Sequence, residues 1–402
     1  MVSQGDAATH SDRSGKCGRP MAYFRNRAVN LLNLHYALHS IALYGSGAFF
    51  FVYLLRAGVP LPGVLVSIAA ILAGRFLIRP GVVPLAVRFG IRPVLIAGTL
   101  LNAAQFPLLA QVNGVGPELY ALCAVASIGD TLYWTTYHAY FASLGDHELR
   151  GHQISIREAI VAVIGIVSPL ITGWGLVTFG AQAAFGATAI VQLLAAVPLL
   201  RTPNVAVARH VPGAVKAAIP GVLLFITDGW IASGFIVVWQ VGLFTTLGEN
   251  FLAYGGALAV AALAGAIGGL LLGRHIDAGH GGKVLWLTVL ALAAAIGFRA
   301  SALGHPGLAV AANALGALVV CLYTPMLMTA VYNQAKRSPC PLRFHVATEG
   351  GWDAGGASAC LIIAALVSHG VPLSAGILLA WLGAGAAFIL LRRYYRLNAG
   401  AV

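Results

Sequence analysis

The sequence predicts an all-α polytopic membrane protein with twelve transmembrane helices in two pseudo-symmetric six-helix bundles. Three observations lead there: a scarcity of charge, a run of long apolar segments, and a faint internal repeat. Of 402 residues, 59% are hydrophobic and 9% are charged. A soluble domain carries about 25% charged residues, so this chain cannot clothe a water-exposed surface. The mean hydropathy of +0.85 agrees. The net charge is +12, which on a soluble protein would raise nucleic acid as a partner. Here the cations are read through membrane topology instead, and no nucleic-acid partner is expected.

The first 27 residues are polar and basic and read as a disordered cytoplasmic tail. Twelve apolar segments follow, at about 28–55, 60–80, 92–112, 117–142, 154–178, 181–200, 217–246, 250–273, 284–303, 307–333, 344–368 and 372–391. Each can cross a hydrocarbon core about 30 Å thick at about 1.5 Å per residue, with tilt. Pro107, Pro169 and Pro325 fall inside segments, where neighbouring helices can re-satisfy the backbone. The runs are too long and too unbroken for barrel strands. The first span is read as retained, because no small-residue cleavage site ends it.

Charge placement tests this count. With the N-terminus in the cytoplasm, the basic residues fall in that tail, the even-to-odd connections and the C-terminal tail. Arg75, Arg79, Arg88 and Arg92 lie in or near the second-to-third connection, and Lys336, Arg337 and Arg343 near the tenth-to-eleventh. Only Arg56 and Arg299 remain outside. That asymmetry implies an even number of spans with both termini cytoplasmic. The organisation is then a tail (1–27), a first bundle (28–200), a cytoplasmic linker (201–216), a second bundle (217–392) and a tail (393–402).

The halves echo each other at a shift near 190 residues. TLY at Thr131–Tyr133 lies over CLY at Cys321–Tyr323, and IREAI at Ile156–Ile160 lies near ATEGG at Ala347–Gly351. HSIALYGSG from His39 resembles DGWIASGF from Asp228. Repeats of six spans are a known solution for carriers, with the solute path between the halves.

The stretch GGLLLGRHIDAGHGGK (Gly268–Lys283) carries a further resemblance. Gly273, Arg274 and Asp277 match the loop signature of the major facilitator superfamily of secondary transporters, and Lys283 follows. In the first half, PLAVRFGIRP keeps Arg88, Gly90 and Arg92, but Val87 stands where the family usually has Asp. RG at Arg150–Gly151 resembles the RG that follows the family's fourth span. GIVSPLITGWG (Gly165–Gly175) is similar to a Gly/Pro element of the family's exporters, with Ser168 in place of the Gly before Pro169. The resemblance covers the chain after residue 28. It implies a cell-membrane transporter working by alternating access, with Arg88, Gly90, Arg92, Gly273, Arg274 and Asp277 as gating residues. It also implies Asp277 as a latch that its first-half counterpart lacks. Gly269 and Gly273, one turn apart, would allow close helix contact.

An ionisable residue inside a membrane is a functional hypothesis by default. Asp130 in the fourth span, Asp228 in the seventh and His39 in the first are candidates for ion coupling or substrate binding. Imidazole titrates near neutrality, and burial can lift a carboxyl toward the same range. Tyr133 and Tyr137 share a face near Asp130 and read as the wall of an amphipathic pocket. Glu349 and Asp353 also share a face, four residues apart, which favours a shared proton or a cationic partner. Arg157 and Glu158 open the fifth span; adjacent helical residues diverge by about 100°, so each is expected to find a partner elsewhere. The plain alternative throughout is a helix–helix hydrogen bond or a solvated rim position. His35 and His39, one turn apart, lack an evident third metal ligand, as do His275 and His280. No metal and no cofactor is expected.

The chain has no G-x-x-x-x-G-K-[ST] sequence, so no nucleotide engine is apparent. The leading expectation is a monomeric, proton-coupled carrier of a small solute, tilted toward export by the fifth-span element. Import or uncoupled facilitation of a polar metabolite is the nearest alternative. An interfacial membrane enzyme is another, but HELR at His147–Arg150 lacks the second His of a zinc helix. A sensor that kept the fold and lost transport is the last.

Overall fold

The computed structural model describes residues 26–144, 150–276 and 281–397. We number its long helical segments α1 (Arg27–Arg56), α2 (Leu61–Phe89), α3 (Ile91–Gln111), α4 (Pro117–Leu144), α5 (Arg150–Thr178) and α6 (Gly180–Leu199). The second half follows as α7 (Ala214–Thr246), α8 (Phe251–Ile276), α9 (Gly281–Ala302), α10 (Pro306–Arg337), α11 (Pro341–Ser368) and α12 (Leu373–Leu397). All described regular structure is helical. Among the described residues, eleven helices are long and apolar enough to cross a membrane. α4 is as long but more polar. It tolerates that because most of its side chains from Thr131 to Tyr140 are buried in protein rather than turned to lipid, where polar groups find partners.

Several helices outrun their apolar segments. α2 continues to Phe89 through a tight turn at Arg79–Gly81, where Pro80 supplies no N–H for a regular ladder. α10 reaches Arg337 and α12 reaches Leu397. Basic side chains on these last turns complement the helix dipole, so the helices continue beyond the apolar stretch. Asn26 caps α1, its side-chain oxygen accepting from Val29 N at 3.2 Å.

Close helix crossings set the frame. α11 packs on α7 with backbone almost in contact: a Cβ on Gly229 would lie 2.1 Å from Trp352 O, and one on Gly355 would lie 2.1 Å from Ile226 O. Only glycine fits at both positions. α5 crosses α8 at the proline element of the fifth span, where Gly255 approaches Pro169 O and Gly173 approaches Phe251 O. In α8 the close neighbour is Gly268, against Leu318 of α10, whereas Gly269 faces open space. The helix turns Gly269 away, which corrects its expected packing role.

At the α1–α2 and α7–α8 end, an aromatic cluster joins the two halves. Phe49 of α1 meets Tyr254 of α8 edge-on at 5.2 Å, and Phe244 of α7 stacks on Phe251 at 5.2 Å. Tyr254 donates its hydroxyl to Ala48 O at 3.1 Å. At the opposite end, the linker after α6 ties the turn between α2 and α3 to α11. Ile91 N donates to Val205 O, and Arg343 donates to Ala208 O and Arg209 O.

Candidate functional site: a charged seam and a central cavity

Two pairs of residues, each four apart, face each other across the halves. Arg75 and Arg79 lie on α2; Glu349 and Asp353 lie on α11. Arg79 Nη1 donates to Glu349 Oε2 at 2.7 Å and its Nε donates to Asp353 Oδ2 at 3.0 Å, while its Nη2 also contacts Asp353 Oδ2. Thr135 of α4 takes a further bond from Arg79 Nη1 at 2.9 Å. Arg75 Nε lies 2.9 Å from Asp353 Oδ1, a charge contact that is not aligned as a hydrogen bond. Arg75 Nη1 lies 3.6 Å from Asp130 of α4. The side chains of Arg79 and Asp353 are only 2% and 0% exposed. A buried pair of this kind holds because each charge is met by its partner; stranding one is severe.

Beside this seam lies a cavity of about 360 Å³, within the usual range for small-molecule sites. α4 contributes through a stripe four residues apart: Asp130, Trp134 and His138 stay partly exposed while their neighbours are covered. Trp134 and His138 line the cavity with Phe225 of α7, Tyr332 of α10, and His345 and Trp352 of α11. Arg75, Asp228 and Glu349 supply its charges. Trp352 Nε1 donates to Asp228 Oδ2 at 3.1 Å, and the Arg75 guanidinium lies 5.6 Å from the Trp352 ring centre.

The other candidates sit differently. Tyr133 and Tyr137 do not wall this cavity; both are buried, stacked in parallel at 5.8 Å in the core of the first half. Their side of α4 faces α1, so they meet His35 and His39 rather than solute. Tyr133 stacks on His39 at 4.0 Å, and His35 is held by Ala195 O at 2.7 Å and the Tyr133 hydroxyl at 3.1 Å. His39 Nδ1 lies 3.1 Å from Gln192 Oε1. His39 and Asp228, which the sequence echo between the halves sets at near-equivalent places, therefore part ways: one packs in a core and the other faces the cavity.

Arg157 and Glu158 pair with each other, at 2.6 Å, against the expectation that they diverge. The long Arg157 side chain folds back, its guanidinium lying over Tyr36 and Phe141, and the half-exposed Glu158 swings to meet it. Arg299, expected on the outer surface, is buried, with its guanidinium 3.8 Å from the Phe235 ring centre and bonded to Phe235 O. That carbonyl lies in a π-helical segment, Ser233–Val238, a geometry that disturbs the regular ladder.

Among the gating candidates, Arg88 is exposed and lies over Phe89. Gly90 adopts φ 84°, a turn conformation that favours glycine, and a Cβ there would strike Asn204. Arg92 donates to Thr202 O at 2.7 Å, and Asn204 Nδ2 donates to Phe89 O at 2.8 Å. The first-half element is thus fastened to the linker. Gly273 and Arg274 belong to α8 by backbone. Asp277 and the HEL of His147–Leu149 lie outside the described residues.

Reading the sequence missed Arg75 and Arg79 as site residues by counting them with the loop cations. Their spacing was the available signal. Two arginines four apart within an apolar run share a face, and they match the two carboxylates four apart on α11. Trp134 and His138 follow Asp130 at four-residue steps within the aromatic cluster of the fourth span, and Tyr332 stands among the aromatics of the tenth, so these carried a signal; His345 and Trp352 carried none.

The profile of the Major Facilitator Superfamily matches residues 32–339. No protein of curated function matches the chain. Among solved structures, the chain shares its fold with an auto-inhibited POT family peptide transporter, at 13% identity and a TM-score of 0.61, over 93% of this chain and 97% of that one. A match over most of the chain, together with the polytopic helical fold, establishes that the protein belongs to the major facilitator superfamily of secondary transporters.

Proposed function

We propose that the protein carries a small solute by alternating access, coupled to protons through the charged seam between α2, α4 and α11. The supporting observation is the buried set of Arg75, Arg79, Asp130, Glu349 and Asp353, drawn from both halves and adjoining a solute-sized cavity. Opening the halves at this end must part Arg79 from Glu349 and Asp353. In a medium of low dielectric that separation is steeply uphill. A proton on one carboxylate removes a charge and loosens its hold on the arginines, so proton arrival and conformational change become linked. Asp130, at the longer distance from Arg75, is the carboxylate most available to exchange a proton. Val87 leaves the first-half loop without its latch, and the seam supplies the contact between halves instead.

The direction we assign is export, which rests on the resemblance at Gly165–Gly175. The remaining assignments are a monomer in the cell membrane, with tails and linker in the cytoplasm, as the charge asymmetry favours. A pH jump across sealed vesicles of known orientation tests this reading. Solute-dependent proton movement supports it. Solute movement without protons replaces it by facilitation, and release of lipid products without flux replaces it by an enzyme. Asp130→Asn is expected to reduce proton-coupled movement at similar protein abundance; wild-type transport with unchanged pH dependence removes Asp130 from the mechanism.

A further inference from the structure

We infer that the central cavity takes a small aromatic organic cation, a protonated amine, whose charge lies against Asp228 and whose ring lies among the aromatic walls. This rests on the transport reading in treating the cavity as the solute site.

The charges around the cavity favour a cation. Two carboxylates, Asp228 and Glu349, line the cavity with Arg75, while Asp130, Asp353 and Arg79 lie beside it in the seam. Both guanidiniums are occupied by Asp130, Glu349 and Asp353. Asp228 accepts a neutral indole hydrogen bond from Trp352 and forms no ion pair among the described residues. A carboxylate facing a cavity within a membrane, with no cation of its own, selects for a cationic partner.

The cavity wall favours an aromatic ring. Trp134, His138, Phe225, Tyr332, His345 and Trp352 converge on the cavity from four helices. Aromatic faces attract cations and stack on flat rings. Among the described residues, Arg75 is the Arg or Lys in the lining; it is pinned by Asp353 and lies over Trp352. It is not free to receive a solute carboxylate, which disfavours anions and zwitterions. The cavity volume of about 360 Å³ sits near the low end for ligand sites, so the solute is small.

Purified full-length protein in detergent is titrated with tryptamine, tryptophan and indole-3-propionate, and the rise in apparent melting temperature is followed. These share a ring and differ in charge. Tryptamine is expected to give a saturable rise at least tenfold tighter than the other two. Asp228→Asn should weaken tryptamine at least tenfold, with Asp228→Glu restoring part of the loss. Equal or tighter binding of indole-3-propionate or tryptophan, no saturable effect of tryptamine, or unchanged tryptamine binding in a folded Asp228→Asn protein would overturn the inference. If that variant does not fold, the three-ligand comparison on the wild type decides alone. Failure of tryptamine while another solute still moves protons in vesicles defeats this inference and leaves the transport reading standing. Tryptamine binding without any flux does the reverse.

Discussion

The two halves meet at two places built from opposite chemistry. At the α1–α2 and α7–α8 end the contact is aromatic: Phe49, Phe244, Phe251 and Tyr254, with one hydroxyl-to-carbonyl bond. Deeper in the bundle and toward the linker, the contact is ionic: Arg75 and Arg79 against Glu349 and Asp353. The aromatic contact draws its strength from area and shape, which no proton changes. The ionic contact depends on charge state, and its strength falls if a carboxylate takes a proton. One end is therefore a contact that protonation does not tune, and the other is a contact that it can switch. That difference points to the ionic seam as the place where chemistry enters the conformational cycle.

The comparison breaks most visibly at Asp353. Asp353→Ala removes the carboxylate that Arg75 and Arg79 share, leaving Arg79 to Glu349 and Arg75 to the more distant Asp130, and loss of one partner of a buried pair costs about 3–5 kcal/mol. A thermal melt in detergent should show a large drop, with loss of transport. Tyr254→Phe sharpens the other side. It removes one neutral hydrogen bond and keeps the ring, so about 1 kcal/mol is expected, with transport retained. Arg56→Gln is the smallest change. The Arg56–Glu249 pair spans 3.7 Å with side chains 61% and 43% exposed, and a solvated pair of that kind contributes roughly 0–1 kcal/mol. Melting and flux should match the wild type. A large coupling defect from Tyr254→Phe or Arg56→Gln, with little from Asp353→Ala, would reverse the assignment of roles.

The sequence made the fold legible because twelve apolar runs and a one-sided distribution of cations are signals spread over the whole chain. The site was legible in part. Asp130, Asp228, Glu349 and Asp353 stood out because charges inside apolar runs are rare. Their partners did not, since Arg75 and Arg79 lie close enough to a basic connection to pass for loop residues. Tyr133 and Tyr137 misled for a different reason. Periodicity gave their common face correctly, but it does not say which neighbour that face meets. Trp134 and His138, on the adjoining face with Asp130, are the ones that reach the cavity. Arg157 and Glu158 show the limit of backbone geometry, because a long side chain can fold back to a neighbour that its Cβ direction leaves behind.

The most direct test of the seam's role is proton-driven solute flux in sealed proteoliposomes, comparing wild type with Asp353→Asn. The substitution keeps the side chain's shape and one acceptor oxygen for Arg79 while removing the charge and the capacity to take up a proton. An imposed pH gradient should drive solute accumulation in the wild type. In the variant, solute should exchange but no longer accumulate with the gradient. Accumulation at the wild-type level and pH dependence in a folded Asp353→Asn protein would contradict the seam's role.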